Sequence, residues 1–298
     1  MALLLKGGPV AEAMSQRLLD QCATLKEAGV TPVFAIVRVG EKANDISYER
    51  GATKRAQALG VEVRNFILPE SVTEDQLVET LEGINHDSGI HGCLMFRPLP
   101  PHLDTPRVAR TLDASKDVDA MTSSAMGVLL SPSAVGYAPC TAQASLEILK
   151  YYQIPLQGKR ITVIGKSMTV GLPTALLMMN EEATVSVCHI LSRPEDTRDL
   201  CKDADIIISA AGCPGLVTRD YVRHGQIVVD VGVTLGKDGK LHGDVAFEEV
   251  EPIVEAITPV PGGVGSVTST VLVGHVVEAA MPAVERPVNL SQIVTQNT

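Results

Sequence analysis

Tryptophan is absent from the chain, and only 3% of its 298 residues are aromatic. Hydrophobic residues nevertheless make up 45% of the sequence, so the core must be built from aliphatic side chains. This composition excludes a disordered chain, and the length allows two packed cores. An aliphatic bias of this kind suits buried parallel strands that are covered by helices.

Clusters of basic residues are also absent, and the formal net charge is −10. Counterion release requires clustered cations, so we expect neither a nucleic-acid partner nor a membrane partner. No apolar stretch is long enough to span a bilayer, and the run at residues 3–5 is too short for a signal-peptide core. We therefore expect a soluble cytoplasmic protein.

The sequence has no Cys-x-x-Cys pair. Its six cysteines are scattered, and several lie in apolar runs, which favours reduced, buried thiols over a disulfide framework or a zinc site. We therefore expect no metal. The cysteines are Cys22, Cys93, Cys140, Cys188, Cys201 and Cys213.

Short apolar runs alternate with helical patterns along most of the chain. Strands are predicted at 33–37, 61–68, 92–96, 161–164, 184–187, 206–208 and 227–231. Helices are predicted at about 10–25, 46–59, 77–84, 145–152, 175–178 and 269–280. This alternation predicts βαβ units and a parallel sheet.

The predicted fold class is α/β with two domains. An N-terminal domain over residues 1–125 would be completed by a helix at 269–285, and a Rossmann-like domain would span 138–268. The boundary is expected between Asp119 and Thr141. Residues 286–298 would form a loosely ordered tail.

A glycine-bearing turn follows the strand at 161–164 and precedes a helix that Pro173 can start. This arrangement places backbone N–H groups against a phosphate. Gly165 would let the backbone approach a ligand, and Gly171 would allow close helix packing. The spacing differs from Gly-x-Gly-x-x-Gly, so an ordinary βα turn stays an alternative. Lys166 either meets a phosphate on the nucleotide ribose or is solvated, which leaves NAD versus NADP open.

Several further segments are more specific. They are Tyr-Ala-Pro-Cys-Thr at 137–141, Val-Cys-His at 187–189, Pro-Leu-Pro at 98–100, and Thr-Pro-Val-Pro-Gly-Gly-Val-Gly at 258–265. With Gly-Lys-Ser at 165–167, they resemble the methylenetetrahydrofolate dehydrogenase/cyclohydrolase family in order, over residues 5–280. The resemblance implies a cleft between two domains, a homodimer formed through the nucleotide domain, and NAD or NADP as cofactor. It also implies oxidation of 5,10-methylenetetrahydrofolate to 5,10-methenyltetrahydrofolate.

The resemblance assigns roles to individual residues. Tyr48 would stack on the folate, and Asp119 would hold the amino edge of the pterin, where a carboxylate suits paired N–H donors. A helix cap or a surface acid is the alternative for Asp119, and a cap or core histidine the alternative for His189. Pro98, Leu99, Pro261, Gly262 and Gly263 would complete the folate site. The nucleotide site would comprise Gly165, Lys166, Ser167, Val170, Gly171, His189, Gly212 and Thr268.

The sequence departs from the family where the cyclohydrolase step needs acid–base groups. Ala52 stands in place of a lysine, and Phe96 in place of a glutamine. Neither a methyl nor a phenyl group transfers a proton, so we expect weak or absent hydrolysis of the methenyl group. Lys54 lies about 200° further round the helix than Ala52, and it is one alternative cation. Arg97 is the other, although adjacent strand residues point to opposite faces.

Smaller departures accompany these losses. Asp45, Ala120, Ser266 and Val267 replace the family's Ser, Gly, Pro and Met. Hydride transfer mainly requires alignment of two carbons, so we expect the dehydrogenase activity to persist. Two alternatives stay open: a folate-dependent methylene transfer that reuses the same pocket, and a non-catalytic binder of folate or nucleotide.

Overall fold

The computed structural model describes residues 1–131 and 133–281, which form two compact units. One unit, here called the six-stranded unit, comprises residues 1–12 and 139–268. The other, the three-stranded unit, comprises residues 13–131, 133–138 and 269–281. The predicted two-domain α/β class is confirmed. The predicted tail at 286–298, and the predicted helix beyond residue 281, lie outside the described residues.

The three-stranded unit is built on a parallel sheet of order β3-β2-β4. All seven residues of its central strand are buried, as expected for a strand with neighbours on both sides and helices on its faces. The strands are β2 (Val33–Val39), β3 (Glu62–Leu68) and β4 (Gly92–Met95). The helices are α2 (Ala43–Ala58), α3 (Glu74–His86), α4 (Thr105–Thr111) and α5 (Ser124–Leu130).

Helix α3 shows how local sequence sets an element. Thr73 and Gln76 form a capping box in which each side chain bonds the other residue's backbone N–H. Leu77, Leu81 and Ile84 recur at helical spacing and are almost fully buried in the core of this unit. The apolar spacing predicted residues 77–84, and the capped first turn extends the helix to Glu74.

The six-stranded unit contains a parallel sheet of order β1-β11-β8-β7-β5-β6. These strands are β1 (Leu3–Leu4), β5 (Arg160–Ile164), β6 (Thr184–Cys188), β7 (Ile206–Ser209), β8 (Ile227–Asp230) and β11 (Ala256–Ile257). Its helices are α6 (Cys140–Tyr151), α7 (Gly171–Asn180), α8 (Pro194–Asp203) and α9 (Phe247–Val250), with a 3-10 turn at Arg219–Tyr221. A small antiparallel pair, β9 (Thr234–Leu235) and β10 (Leu241–His242), lies outside the sheet.

Strand β5 marks the switch point of this sheet. It pairs with β6 on one side and with β7 on the other, so the chain reverses its direction of winding there. Ligands of open parallel sheets bind beyond the carboxyl ends of the strands at such a point. The turn that follows Ile164 is therefore correctly placed for a nucleotide.

Two helices are shared between the units. The division falls within α1 (Gly7–Glu27), after Glu12, and within α10 (Gly265–Ala280), after Thr268. Helix α10 begins four residues before the predicted start at 269. No helix in the described part of the chain is long and apolar enough to cross a membrane.

The first twelve residues differ from the predicted domain limits. The sequence placed them in the N-terminal domain, whereas the structure groups them with residues 139–268. The cause is β1, which pairs with β11: Leu3 N donates to Glu255 O, and Leu5 N donates to Ile257 O, both at 2.8 Å. A two-residue edge strand of this kind has no periodicity that sequence analysis can detect.

Candidate functional site

The segment Lys116-Asp117-Val118-Asp119 is fixed by three of its four residues. Lys116 Nζ donates to the carbonyl oxygens of Ile84, Asn85 and Asp87 at the end of α3, at 2.6, 3.0 and 2.7 Å. The Asp117 carboxylate accepts from the backbone N–H groups of Met121 and Thr122 at 2.8 and 2.6 Å. Val118 is fully buried, and its carbonyl oxygen lies 2.8 Å from His275 Nδ1. These contacts hold the backbone that carries Asp119.

Asp119 itself is partly exposed at the end of this fixed segment. The next residue, Ala120, has φ of 54°, in the left-handed region that favours glycine. The structure thus explains why the family pattern has glycine there: the backbone turns sharply directly after the candidate pterin-binding acid.

His275 on α10 secures the same segment from behind. Its ring stacks on Tyr137, with centroids 4.8 Å apart and an interplanar angle of 25°. Burial lowers the pKa of His275 to about 4, so the ring is neutral at pH 7. A neutral ring with Nδ1 protonated is the tautomer that donates to Val118 O. Sequence analysis did not single out His275.

Tyr48 and Phe96 are in direct contact. Their ring centroids lie 5.8 Å apart with an interplanar angle of 86°, an edge-to-face pair. Tyr48 is 44% exposed on α2, and Phe96 directly follows β4, with its N–H 3.0 Å from Val37 O. Phe96, which stands in place of the glutamine, therefore contacts Tyr48 with its aromatic ring and offers it no polar atom.

Ala52 lies one turn after Tyr48 and is only 2% exposed. Residues four apart lie on the same side of a helix. Tyr48 is exposed to solvent on this side of α2, whereas Ala52 is covered. The alternative cation Lys54 is exposed and lines a shallow depression together with Gln57 and Asn65. Neither Tyr48 nor Phe96 lines this depression. Arg97 is exposed directly after Phe96.

The Pro98 segment is anchored by Leu99. This predicted folate contact is 7% exposed and belongs to the apolar core of the three-stranded unit, so its side chain holds the segment in place. Pro98 is exposed, follows a cis peptide bond, and accepts a 2.9 Å hydrogen bond at its carbonyl oxygen from Lys42 Nζ. Sequence analysis did not single out Lys42.

A buried ion pair was also missed. Arg38 on β2 and Glu49 on α2 are 6% and 9% exposed, and Arg38 Nε lies 2.5 Å from Glu49 Oε2. Arg38 also donates to Gly40 O. Val37 of β2 pairs with Met95 of β4. Arg38 and Phe96 are the residues that follow this pair, at the carboxyl edge of the sheet. A charged residue within an otherwise apolar strand is the signal that could have indicated it.

In the six-stranded unit, the two glycines of the β5–α7 turn lie against backbone carbonyl groups. A Cβ on Gly165, which has φ of +137°, would lie 2.4 Å from Ala210 O, and one on Gly171 would lie 2.2 Å from Gly165 O. Both glycines are thus required by packing of backbone against backbone. Approach of the Gly165 backbone to a ligand stays a prediction.

Ser167 and His189 already have structural partners. Ser167 Oγ accepts from the N–H groups of Val170 and Gly171 at 3.2 and 3.3 Å, so it caps the start of α7. His189 Nδ1 accepts from Leu191 N at 3.2 Å, which closes the turn after β6. Lys166 lies in the β5–α7 turn and is exposed, so its ammonium group is available to a phosphate.

The loop after β7 is organised by Asp244. Its carboxylate accepts from Ser209 Oγ and from the N–H groups of Ala211, Gly212 and Cys213, at 3.0, 2.6, 3.2 and 2.8 Å. Gly212 has φ of +65° and open space where a Cβ would lie. Four donors on one carboxylate hold this loop next to Gly165.

Asp230, the last residue of β8, is the second buried acid of this region. It accepts backbone N–H bonds from Gly232, Asp244 and Val245 at 3.1, 3.0 and 2.9 Å. Burial outweighs these bonds and, with the nearby Asp244 carboxylate, raises the pKa of Asp230 to about 7.

The Pro-Val-Pro-Gly-Gly segment packs on the start of α1. Gly7 N donates to Gly262 O at 2.8 Å, and a Cβ on Gly7 would lie 2.1 Å from Gly263 O. Pro261 and Gly262 are exposed, whereas Gly263 is buried. Thr268 lies in the first turn of α10, where Oγ1 donates to Val264 O at 3.3 Å. Pro261 and Gly262 are therefore the most exposed members of this segment.

Five of the six cysteines are buried and reduced, and Cys213 is exposed. Burial raises the pKa values of the Cys22, Cys93, Cys188 and Cys201 thiols, which makes them unreactive. Residues 1–131 and 133–281 contain no group of three or more His, Cys, Asp or Glu side chains placed to hold a metal ion.

Comparisons with known proteins match both units. Residues 5–119 match the tetrahydrofolate dehydrogenase/cyclohydrolase catalytic domain, and residues 139–284 match the NAD(P)-binding domain of the same family. The chain is 44% identical to the bifunctional protein FolD of Carboxydothermus hydrogenoformans, over 94% of this chain and 97% of that protein. It is 42% identical to the FolD of Alkaliphilus metalliredigens, over 94% and 98%.

Solved structures agree with these matches. The bifunctional enzyme FolD of Campylobacter jejuni superposes with a TM-score of 0.89 at 36% identity, covering 94% of this chain and 99% of that one. The Trypanosoma brucei methylenetetrahydrofolate dehydrogenase-cyclohydrolase, solved with NADP and an inhibitor, gives a TM-score of 0.84 at 33% identity, covering 92% and 96%.

Proposed function

Since the chain belongs to the tetrahydrofolate dehydrogenase/cyclohydrolase family, we propose that it oxidises 5,10-methylenetetrahydrofolate with NAD or NADP and hydrolyses the methenyl product weakly or not at all. When bound, NAD or NADP would supply the acceptor for a hydride from the methylene carbon, and the folate product would be the methenyl cation. The protein's task in this step is to align two carbons, which requires no proton transfer from a side chain.

Support for the oxidation comes from the β5–α7 turn at the switch point of the six-stranded sheet. Its glycines, the N-terminus of α7 and the exposed Lys166 form a surface that suits a dinucleotide phosphate. We propose that Val170, Gly212 and Thr268 also border the nucleotide. Ser167 and His189 would act mainly by holding their turns, since their side chains already bond the backbone.

The observation that carries the weak hydrolysis is the pair of hydrocarbon side chains at positions 52 and 96. Water must be oriented and deprotonated to attack the methenyl carbon. Ala52 is covered, and Phe96 packs on Tyr48, so neither position offers a donor or acceptor. The curated relatives are called bifunctional, so this loss would distinguish the chain from them.

On the folate side we propose that Tyr48 stacks on the substrate, that Asp119 binds the pterin edge, and that Pro98, Pro261 and Gly262 contact the ligand. All five side chains or backbones are at least partly exposed. Leu99 and Gly263 would contribute through the position of their backbones, because both residues are buried.

A second candidate is transfer of the methylene group to an acceptor amine or carbon in a specialised pathway. The edge-to-face contact of Tyr48 with Phe96 favours it, because this contact changes the shape as well as the chemistry of the folate side. In that case the nucleotide site would be structural, and NAD or NADP would not be reduced.

We also propose that the protein is a homodimer formed through the six-stranded unit. Strand β6 is an edge of its sheet, and apolar side chains are exposed on it and on the turn that follows. Val187, Ile190 and Leu191 are 41%, 66% and 82% exposed. Apolar exposure beside an edge strand is typical of a surface that another chain covers.

The function is tested by incubating the protein with methylenetetrahydrofolate and either nucleotide, following reduced nucleotide and methenyl product together. Equal accumulation of both, with methenyl decay no faster than without protein, is expected. The double variant A52K/F96Q should accelerate that decay, because it restores both polar groups. Methenyl decay faster than the spontaneous rate in the unaltered protein contradicts the loss of hydrolysis. Folate binding without reduced nucleotide contradicts the oxidation and favours methylene transfer.

A further inference from the structure

Lys42 is the cation that the structure connects to the candidate folate side. It directly precedes α2, its side chain is exposed, and its ammonium group lies 2.9 Å from Pro98 O. Pro98 is two residues after Phe96, and the Phe96 ring contacts Tyr48. Hydrogen bonds and ring contacts therefore link Lys42 to the proposed stacking residue through one short segment.

The Lys42 ammonium has donors to spare. It carries three N–H groups, and the bond to Pro98 O uses one of them. Within the described ranges Lys42 forms no ion pair, although Glu41 and Asp45 lie nearby in sequence. The bond to Pro98 holds the long side chain in one direction, which lowers the entropy cost of binding an anion there.

A second cation borders the same segment. Arg97 is exposed and immediately precedes Pro98, and it makes no hydrogen bond or ion pair among residues 1–131 and 133–281. One exposed cation therefore bonds Pro98 and another directly precedes it, in a chain of net charge −10. They mark this edge of the three-stranded unit as a place for an anionic group.

We propose that Lys42 and Arg97 bind the carboxylates of the glutamyl chain of the folate substrate. The inference rests on the proposed function, in which Tyr48 stacks on the aromatic part of the folate. Beyond those rings a folate continues as glutamyl residues, and each added residue adds one carboxylate. An exposed ammonium and an exposed guanidinium can pair with such a flexible, water-exposed chain without losing their own solvation.

Binding experiments test this assignment without any turnover. The dissociation constants of tetrahydrofolate with one glutamate and with five are measured by calorimetry for the unaltered protein and for the variants K42M, R97M and K54M. Lys54 is the matched control, because it is an exposed lysine on α2 that lies beside Asn65. A circular dichroism spectrum and a melting curve confirm that each variant is folded.

The unaltered protein is expected to prefer the five-glutamate ligand. K42M should weaken that ligand by about threefold to tenfold and the one-glutamate ligand less, and R97M should act in the same direction. K42R should restore the preference, K54M should not alter it, and added salt should reduce it. In turnover, K42M should raise KM for the longer substrate and leave kcat unchanged.

Two results overturn the assignment: no preference for the longer chain in the unaltered protein, or equal effects of K42M and K54M. Either result leaves the proposed function intact if methylenetetrahydrofolate is still oxidised. Conversely, a Lys42-dependent preference in a protein that reduces no nucleotide contradicts the proposed oxidation alone. The two failures are therefore distinguishable.

Discussion

Arg38 and Glu49 pair at 2.5 Å between Nε and Oε2, with their side chains only 7% and 12% exposed. Arg38 is the sole charged residue of β2, a strand buried along its whole length. Removing two charges from water is costly, and the attraction between them offsets that cost only in part. The ion pair is therefore better understood as a device that fixes α2 against the sheet than as a source of net stability.

Breaking this ion pair should be far more harmful than removing it. E49L leaves an unpaired buried guanidinium and should lower the free energy of unfolding by about 3–5 kcal/mol. The double variant R38M/E49L should recover most of that loss, since an apolar pair suits the surroundings of β2. Urea unfolding curves for the three proteins provide the measurement. A double variant as unstable as E49L would show that the charges themselves stabilise this unit.

Glycine at position 120 should make the protein more stable than the native alanine does. Its φ of 54° costs an L-residue roughly 1 kcal/mol, which glycine does not pay. We expect A120G to raise the melting temperature by a few degrees. A134G, a change at a residue without positive φ, should lower it. A drop in melting temperature for A120G would mean that the methyl group packs well enough to offset the backbone strain.

The pH dependence of stability should show two opposing groups. The native pKa of Asp230 is raised from 3.8 to about 7, so the folded protein binds a proton that the unfolded chain has lost between those values. Stability from this group therefore falls as pH rises towards and through 7. The native pKa of His275 is lowered from 6.5 to about 4, so its contribution rises with pH over that window.

Between pH 4 and 6.5 the two slopes oppose each other, and above 6.5 only that of Asp230 persists. The free energy of unfolding, measured by urea titration at half-unit steps, should therefore decline from pH 6.5 to 8 by at most about 1.4 kcal/mol per unit. D230N should remove that decline. The same decline in D230N would assign it to another group.

Substitution of Gly171 should weaken nucleotide binding. A Cβ at this position would lie 2.2 Å from Gly165 O, so G171A must open the β5–α7 turn. Titration with NADP should show at least a tenfold weaker affinity, while tetrahydrofolate binding to the three-stranded unit persists. G51A is the matched control, because nothing lies within 4 Å of its Cβ, and it should leave both affinities unchanged. Unaltered NADP affinity in G171A would remove this turn from the nucleotide site.

Periodicity predicted the strong elements and missed the weak ones. Seven predicted strands exist in the structure, and five of them (β2, β4, β5, β7 and β8) carry an apolar run that a parallel sheet buries. The other two, β3 and β6, are edge strands with several exposed residues. Helix α8 was not predicted, since its sequence is dominated by charged residues and only Thr197 and Cys201 are buried. Strands β1 and β11 have two residues each, too few for any pattern.

The candidate site was predictable where a motif survives and unpredictable where tertiary contacts decide. The resemblance assigns Tyr48, Asp119 and the glycine turns to the site. It could not show that Leu99 belongs to the core or that Lys42 reaches Pro98, since each depends on a contact between distant parts of the chain. These roles require coordinates.

The pairing of β1 with β11 has a consequence for biosynthesis. Leu3 is made more than 250 residues before its partner Ala256. The other unit must also wait, because His275 of α10 bonds Val118, and Val276 packs on Gly92. During translation one unit therefore cannot be completed before β11 has emerged, and the other cannot be completed before α10 has emerged. The strands that are made earlier must stay protected until then.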